Sequence, residues 1–427
     1  MRVYLESLGC KLNQSEIEAL AYQFANAGHQ VVVRAEEADL CVINTCTVTH
    51  IAARKSRKLI RSLHRINPKA RLVVTGCYAE MSPQEIECLE GVDLVVGNKD
   101  KEHIVELIGS GGRQPATSFQ LPVFRTRAFV KIQDGCNNHC AYCIVRLARG
   151  RERSRPVEEI LAEIKARVAT GYKEIVLTGV NIGAYGKDFG SSLGQLIEEI
   201  LARTEVPRLR LSSIEPWDLT PDLLPLWEDS RLCRHLHLPL QSGCSATLLR
   251  MGRRYTAVQY ADTVRMAREA IPDLAVTTDI IVGFPGESEA EFEESYRFVK
   301  EMGFARIHVF KFSPRPGTPA AEMDHQVPYA VKRRRSEAMR ELAQRSGERF
   351  RRRFLGRTME VLWESAGKDG LWSGLTDNYI RVTAESKADL SNTISSARLV
   401  GLTKDGMKGL LLKGPPDREE RDVRRNN

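Results

Sequence analysis

Short apolar runs alternate with helix-spaced stretches from the first residues of the chain onward. Residues 3–5, 31–33, 40–44, 72–75 and 94–96 have the apolar character of strands, and the spacing over 16–26 and 53–66 predicts helices between them. This predicts an N-terminal parallel α/β domain over residues 1–112. A Gly/Pro/polar stretch, SGGRQP from Ser110, is of the kind that joins domains and places a boundary between about Leu107 and Pro122. A second alternating series over 122–350 predicts strands at 129–133, 175–178, 209–212, 236–238, 276–282 and 307–312, with helices such as 156–169 and 289–302 in the gaps. Six β/α units predict a partial, open barrel. Beyond an Arg-rich helical stretch ending near Arg353 come shorter β runs at 359–363, 379–382, 393–400 and 409–412, which predict a small all-β barrel over 353–415. The polar residues 416–427 are expected to fray.

At 427 residues the chain has room for two or three domains with cores of their own. Its 42% hydrophobic and 28% charged residues exclude wholesale disorder. No apolar run reaches the roughly 18 residues that span a bilayer, and MRVYLESLGCK meets Glu6 and Lys11 where a signal peptide keeps an apolar core. A cytoplasmic protein with no membrane partner is expected. The net charge of +8 would serve a polyanionic ligand but does not demand one. Ten cysteines change the picture more, because a reducing compartment disfavours disulfides and favours metal or catalytic use.

Cys136, Cys140 and Cys143 stand as C-x3-C-x2-C in DGCNNHCAYC, directly after the first strand expected in the second domain. Three thiolates on one tight loop can hold three irons of a 4Fe-4S cluster and leave the fourth open to a cofactor. The competing assignment is a zinc site with His139 as fourth ligand. Cys10, Cys46 and Cys77 are far apart in sequence, yet each follows an expected strand, in LESLGCKLNQSE, INTCTVT and VTGCYAE. A parallel sheet would bring all three beyond its carboxyl edge, where such sheets bind ligands. Gly9 and Gly76 suit close backbone approach there. Cys41, inside a strand, and Cys88, on a helix, are expected to be buried apolar thiols, and Cys233 and Cys244 carry no assignment.

With these two cysteine sets go LTGVNIGAYGKD (177–188), RLSSIEP (210–216), HLPLQSG (237–243), TTDIIVGFPGE (277–287) and FSPRPGTPA (312–320). Over nearly its whole length the chain resembles the radical S-adenosylmethionine (SAM) methylthiotransferases, most closely the branch acting on threonylcarbamoyladenosine in tRNA. The resemblance implies a cluster-carrying N-terminal domain, a radical SAM partial (β/α)6 barrel and a C-terminal RNA-binding TRAM barrel. It implies two 4Fe-4S clusters, on Cys10/Cys46/Cys77 and on Cys136/Cys140/Cys143, with SAM on the open iron of the second. Backbone near Tyr142, Gly179, Asn181 and Gly283, and polar groups of Glu215 and Gln241, would hold the rest of SAM. The chain departs from the family at Ile144-Val145-Arg146, where Ile-Ile-Pro is usual, and at Ser15, where an aromatic residue is usual. Lys11 matches the threonylcarbamoyl branch, whereas the isopentenyl branch usually has glutamine there.

Placing sulfur on C2 of an adenine means breaking an unactivated C–H bond, so a cofactor-derived radical is needed and no side-chain general base is assigned. The resemblance implies that one SAM methylates a sulfur of the auxiliary cluster while another yields the radical, with a donor such as flavodoxin or ferredoxin supplying electrons. The tRNA anticodon stem-loop would meet Arg54, Lys55, Arg57, Lys58, Arg61 and Arg65 and the run Arg149, Arg151, Arg153, Arg155. Trp372 and Tyr379 are candidates for base stacking on the C-terminal barrel. The alternatives are an isopentenyladenosine enzyme, a radical SAM enzyme modifying a ribosomal protein, and a non-catalytic zinc RNA-binding protein.

Overall fold

The computed structural model describes residues 1–109, 126–367 and 369–412; the expected junction and the expected frayed tail lie outside them in the main. The first unit runs β1 (Arg2–Ser7), α1 (Lys11–Asn26), β2 (Gln30–Val32), β3 (Leu40–Thr45), α2 (His50–Ile66), β4 (Arg71–Gly76), α3 (Cys77–Met81), α4 (Pro83–Glu87), β5 (Leu94–Val96) and α5 (Ile104–Leu107). Its five strands are all parallel in the order β2-β1-β3-β4-β5. The central β3, LCVINT, is buried at every position, as a strand covered on both faces must be, which is why it reads as one apolar run. Cys41 sits in its body and is buried, as expected. Cys88 corrects the other half of that expectation: it caps the C-terminus of the short α4 and is exposed, because only Ile86 of that helix faces the core.

The second unit runs β6 (Arg127–Lys131), β7 (Gln133–Asp134), α6 (Val145–Arg149), β8 (Arg153–Ser154), α7 (Val157–Ala169), β9 (Glu174–Thr178), α8 (Leu193–Arg203), β10 (Arg208–Leu211), β11 (His235–His237), α9 (Ser245–Arg250), α10 (Ala257–Ala270), β12 (Ala275–Val282), α11 (Glu289–Met302), β13 (Arg306–Lys311), α12 (Pro319–Glu322) and α13 (Tyr329–Arg352). Sheets β10-β9-β6 and β11-β12-β13 are parallel and meet through bridges at Leu209–Leu232 and Ser213–His237, giving a six-stranded open barrel. Helices α8, α10 and α11 start at side-chain caps, where Ser192, Thr256 and Ser288 each accept from a backbone amide. At α11, Ser288 and Glu291 form a reciprocal capping box, and Gly303, at φ +59°, ends the helix in the left-handed conformation.

The last unit is a closed barrel, β14-β15-β16-β18-β17, of β14 (Thr358–Ala366), β15 (Leu371–Thr376), β16 (Arg381–Glu385), β17 (Ile394–Leu402) and β18 (Met407–Leu411). The apolar pattern does not predict β15. Its Gly374 looks like a turn residue, but it serves close packing: a Cβ there would lie 2.4 Å from the Leu362 carbonyl oxygen. Two further expectations fail here. Trp372 is core, buried among Val361, Val382 and Leu399. Tyr379 belongs to a turn at φ +67°, outside β16, and its ring stacks on His235 with centroids 4.5 Å apart. Neither is a free platform for bases.

That stacking belongs to a buried junction between the C-terminal barrel and the amino ends of the partial barrel's strands. Arg210, fully buried, is held by Glu174 at 2.7 and 3.0 Å and donates to the carbonyl oxygens of Thr376 and Asp377. Arg234 pairs with Asp377 at 2.6 Å and Arg357 with Asp273 at 2.6 Å. The opposite, carboxyl ends of the strands are left to the site. Among the described residues no helix is long and apolar enough to cross a membrane.

Candidate functional site

The Cys136–Cys143 loop is shaped by its own backbone. Gly135 opens it at φ +70°, where a Cβ would come 1.9 Å from the Arg151 carbonyl oxygen, so only glycine fits. The Cys136 amide donates to Gly150 O at 3.1 Å, the Ala141 amide to Met251 O at 2.9 Å and the Cys143 amide to Cys140 O at 3.0 Å, tying the loop at both ends. The Asn138 amide points at Cys136 Sγ, 3.4 Å away. Where the family usually has proline, α6 continues through Arg146, whose guanidinium lies 2.9 Å from His139 Nε2. His139 is thus taken up by Arg146.

Cys10, Cys46 and Cys77 follow β1, β3 and β4 and come together at the carboxyl edge of the first sheet. Gly9 at φ +115° lets the first two loops touch: a Cβ on it would lie 2.8 Å from Cys46 Cβ and 3.1 Å from Cys46 Sγ. Gly76 at φ +99° lies against Asn44 and Thr45 in the same way. Asn13 Nδ2 ties the β1 and β3 loops by donating to Leu8 O at 2.8 Å and Thr45 O at 3.1 Å. Ser56, from α2, donates to Cys46 O and accepts from the Cys46 amide.

All six thiols line one cavity of about 1220 Å³ between the two units. Tyr142, Gly179, Asn181, Glu215 and Gln241 line it too. Gly179 has no room for a side chain beside Gln133, whose Oε1 accepts from the Val180 and Asn181 amides. Gly283 stands apart from this lining: its amide donates to Glu287 at 2.6 Å and its Cα is covered by the stem of Lys332. The residues fit the groups the sequence implies. Thiols of a cluster bind different irons and need not converge on one point, and among the described residues no three His, Cys, Asp or Glu side chains are placed to hold a single metal ion. Asn181 Oδ1 is buried in the wall with no hydrogen-bond partner, an acceptor suited to a polar ligand.

Two buried guanidinium groups at the thiols carry no motif signal of their own. Arg253 donates to Cys140 Sγ at 3.4 Å, is ion-paired with Glu215, and is covered by Trp217 and Tyr255. Arg149 donates to Glu16 Oε1 at 2.7 Å, Asp134 Oδ1 at 3.0 Å and Asn13 Oδ1 at 2.8 Å. It is buried, which removes it from the basic run expected to face tRNA; Arg155 in the same run is held by Glu163 at 2.7 Å. Burial disfavours charge on Arg149, and Glu16, Cys77 and Asp134 outweigh it, so the guanidinium stays protonated. Burial pushes the Cys46 and Cys143 thiols up to about 12, so holding them as thiolates calls for positive charge close by. Each set has its guanidinium. Nothing in the sequence singles them out, since Arg149 stands among Arg146, Arg151 and Arg153, and Arg253 between Arg250 and Arg254.

A partial β/α barrel with three thiols on one loop after its first strand is the architecture of radical SAM enzymes, and the Radical SAM superfamily matches residues 130–299. Residues 2–97 match a family described as Uncharacterized protein family UPF0004. The threonylcarbamoyladenosine tRNA methylthiotransferase MtaB of Bacillus subtilis (strain 168) is 40% identical over 421 residues, covering 93% of each chain, and that of Thermotoga maritima is 40% identical over 95% of this chain and 96% of its own. A tRNA-2-methylthio-N(6)-dimethylallyladenosine synthase of Thermodesulfovibrio yellowstonii is 35% identical over 90% and 94%. The chain therefore belongs to the radical SAM methylthiotransferases. It is a transferase, with two 4Fe-4S clusters and SAM as its cofactors. The radical SAM methyltransferase TsrM of Kitasatospora setae, solved with cobalamin and a 4Fe-4S cluster, shares the fold with a TM-score of 0.57 over 75% of this chain and 77% of its own, at 16% identity.

Proposed function

We propose that the protein adds a methylthio group to C2 of N6-threonylcarbamoyladenosine, the adenosine immediately 3′ of the anticodon in tRNAs that read codons beginning with A. The observation that carries the chemistry is one cavity lined by both cysteine sets, and the choice of nucleoside follows the 40% identity to the threonylcarbamoyladenosine enzymes. Cys136, Cys140 and Cys143 would hold the cluster that takes SAM, and Cys10, Cys46 and Cys77 the auxiliary cluster. When bound, these groups and SAM supply the one-electron chemistry, the sulfur and the methyl group that an unactivated C–H bond demands. The chain's own part is placement. Arg253 and Arg149 offset thiolate charge, Asn181 Oδ1 and the Arg253-anchored Glu215 offer acceptors, and the Tyr142, Gly179 and Gln241 backbone shapes the wall.

The RNA would approach along α2. Its first two turns reach the cavity through His50, Ile51 and Lys55, and its outer face presents Arg54, Lys58, Arg61 and Arg65 around a groove of about 440 Å³. Thr49 caps that helix by accepting from the Ala52 amide, so the basic face begins beside the Cys46 loop. The proposal places the reaction in the cytoplasm, with flavodoxin or ferredoxin as electron donor. Mass spectrometry of tRNA nucleosides from a strain lacking the gene tests it. Loss of 2-methylthio-threonylcarbamoyladenosine is expected; its persistence alongside loss of the isopentenyl-based nucleoside would assign the other substrate.

A further inference from the structure

Away from the thiol loops, the cavity is walled by the end of β13 and by α13. Val309, Phe310 and Phe312 give this wall an apolar surface, and Lys311, Lys332 and Arg340 put three cations on it. Lys332 is the unusual one. It is 8% exposed, its stem is packed over Gly283, and its ammonium lies 4.9 Å from the centre of the Phe312 ring. Among the described residues its hydrogen bond is a long one, to Phe312 O at 3.4 Å, which leaves two of its three donors without a partner there. Among the described residues no carboxylate pairs with it, and burial lowers its affinity for a proton with no neighbouring charge to offset the effect.

Arg335, one turn along the same helix, shows what a structural cation looks like here: it is equally buried and is bound to Glu287 at 2.8 Å and Glu289 at 3.0 Å. Among the described residues Lys311 has only Tyr329, whose hydroxyl it meets at 2.7 Å, and Arg340, which is exposed, has no carboxylate partner. A buried ammonium without an anion is costly, and a long aliphatic or methionine side chain would fill the same space without that cost. Its place on a cavity wall means that a ligand can bring the anion.

We propose that Lys332, with Lys311 on the same wall and Arg340 two turns further along α13, receives the carboxylate that the threonylcarbamoyl group adds to adenosine, and so selects this nucleoside over an apolar N6 substituent. This rests on the substrate proposed above. Lys11, the sequence marker of the same branch, does not serve here: its ammonium faces the Tyr379 ring, 5.9 Å from the centroid, and it is not part of the cavity lining. The anion could also come from an RNA phosphate, and the two sources are separable.

The test is binding of anticodon stem-loop RNAs to the cluster-loaded full chain by fluorescence anisotropy at fixed salt. Four RNAs carry threonylcarbamoyladenosine, its carboxyl methyl ester, isopentenyladenosine or plain adenosine, and the proteins are wild type, Lys332→Met and Lys332→Arg. Wild type is expected to bind the acid at least tenfold tighter than the ester; Lys332→Met is expected to lose that preference by weakening only the acid, and Lys332→Arg to keep most of it. Retention of the preference by Lys332→Met overturns the inference alone. Equal weakening of all four RNAs assigns Lys332 to a phosphate, and a loss of SAM affinity assigns it to the cofactor; either also overturns it. A wild-type preference for isopentenyl RNA over the acid overturns the substrate proposal as well. The wild-type comparison of acid with ester needs no variant, so it stands even if a substitution disturbs folding.

Discussion

The two cysteine sites differ in how far the chain must travel to build them. One is a single loop, with Gly135, the Cys136 and Cys143 amides and Met251 holding it in place, and its guanidinium, Arg253, comes from the same barrel. The other is assembled from three loops at the ends of β1, β3 and β4, and its guanidinium, Arg149, is supplied by the second unit. Arg149 belongs to α6, the helix that directly follows the Cys143 loop, so one short helix leads from the first thiol set and reaches into the second. A local loop can survive damage elsewhere in the molecule. The assembled site depends on sheet register and on the contact between units.

The largest effects should separate the sites outright. Alanine at Cys136, Cys140 or Cys143 is expected to abolish 5′-deoxyadenosine formation, whereas alanine at Cys10, Cys46 or Cys77 is expected to leave it and remove the methylthio product. Iron content should fall from about eight to about four in each case. Chromatography of the nucleosides with iron analysis checks both, and sustained methylthiolation by a Cys46→Ala protein would remove the auxiliary site from the scheme.

Next comes the bridge. Arg149→Ala breaks a buried ion-paired network, leaving Glu16 to Lys101 and Lys131 and Asp134 to Lys131 alone, an effect of ~2–3 kcal/mol. Thermal unfolding should shift accordingly, and the cluster on Cys10, Cys46 and Cys77 should be lost while the loop cluster and SAM cleavage persist. Loss of both clusters together would mean that the sites are not independent.

The same bridge predicts a pH window. Burial raises the Glu16 carboxyl, but Lys101, Arg149 and Lys131 outweigh it and hold it well below the ordinary carboxylate range. A depressed folded value means that the stabilisation is complete above the unfolded value of about 4.3 and is lost as pH falls through the folded one. The gap in melting temperature between wild type and Glu16→Gln should be constant near neutrality and shrink on acidification below about pH 4.3; a gap independent of pH down to 2 would deny Glu16 the charge.

The smallest effect lies outside both sites. Neutralising Arg54, Lys58 and Arg61 should lower the salt slope of RNA binding by about two. Arg57 is omitted because Tyr78 and Glu85 already hold it, at 2.7 and 2.9 Å. An unchanged slope in filter-binding titrations would make α2 an ordinary solvated face.

The loop site was legible in the chain because its ligands, its opening glycine and its flanking strand all fall within a few residues, and local spacing sets local geometry. Most strands and helices were legible for the same reason, because apolar period acts at short range; β15, with Gly374 in its middle, was not. Trp372 and Tyr379 were not, since whether an aromatic faces solvent, a core or a histidine of another unit depends on which surfaces meet. Cys10, Cys46 and Cys77 lie between these cases: strand order brings their loops to one edge, but the Gly9–Cys46 contact that joins them exists only once the sheet is paired. Arg149 and Lys332 are the clearest limit. In sequence both look like members of basic stretches, and burial turned one into a bridge bound by Glu16 and Asp134 and left the other facing a cavity. Sequence patterning determined the elements and the nearby ligands, while tertiary packing decided which charges are paired, because the cost of burying a charge depends on neighbours that the chain brings from elsewhere.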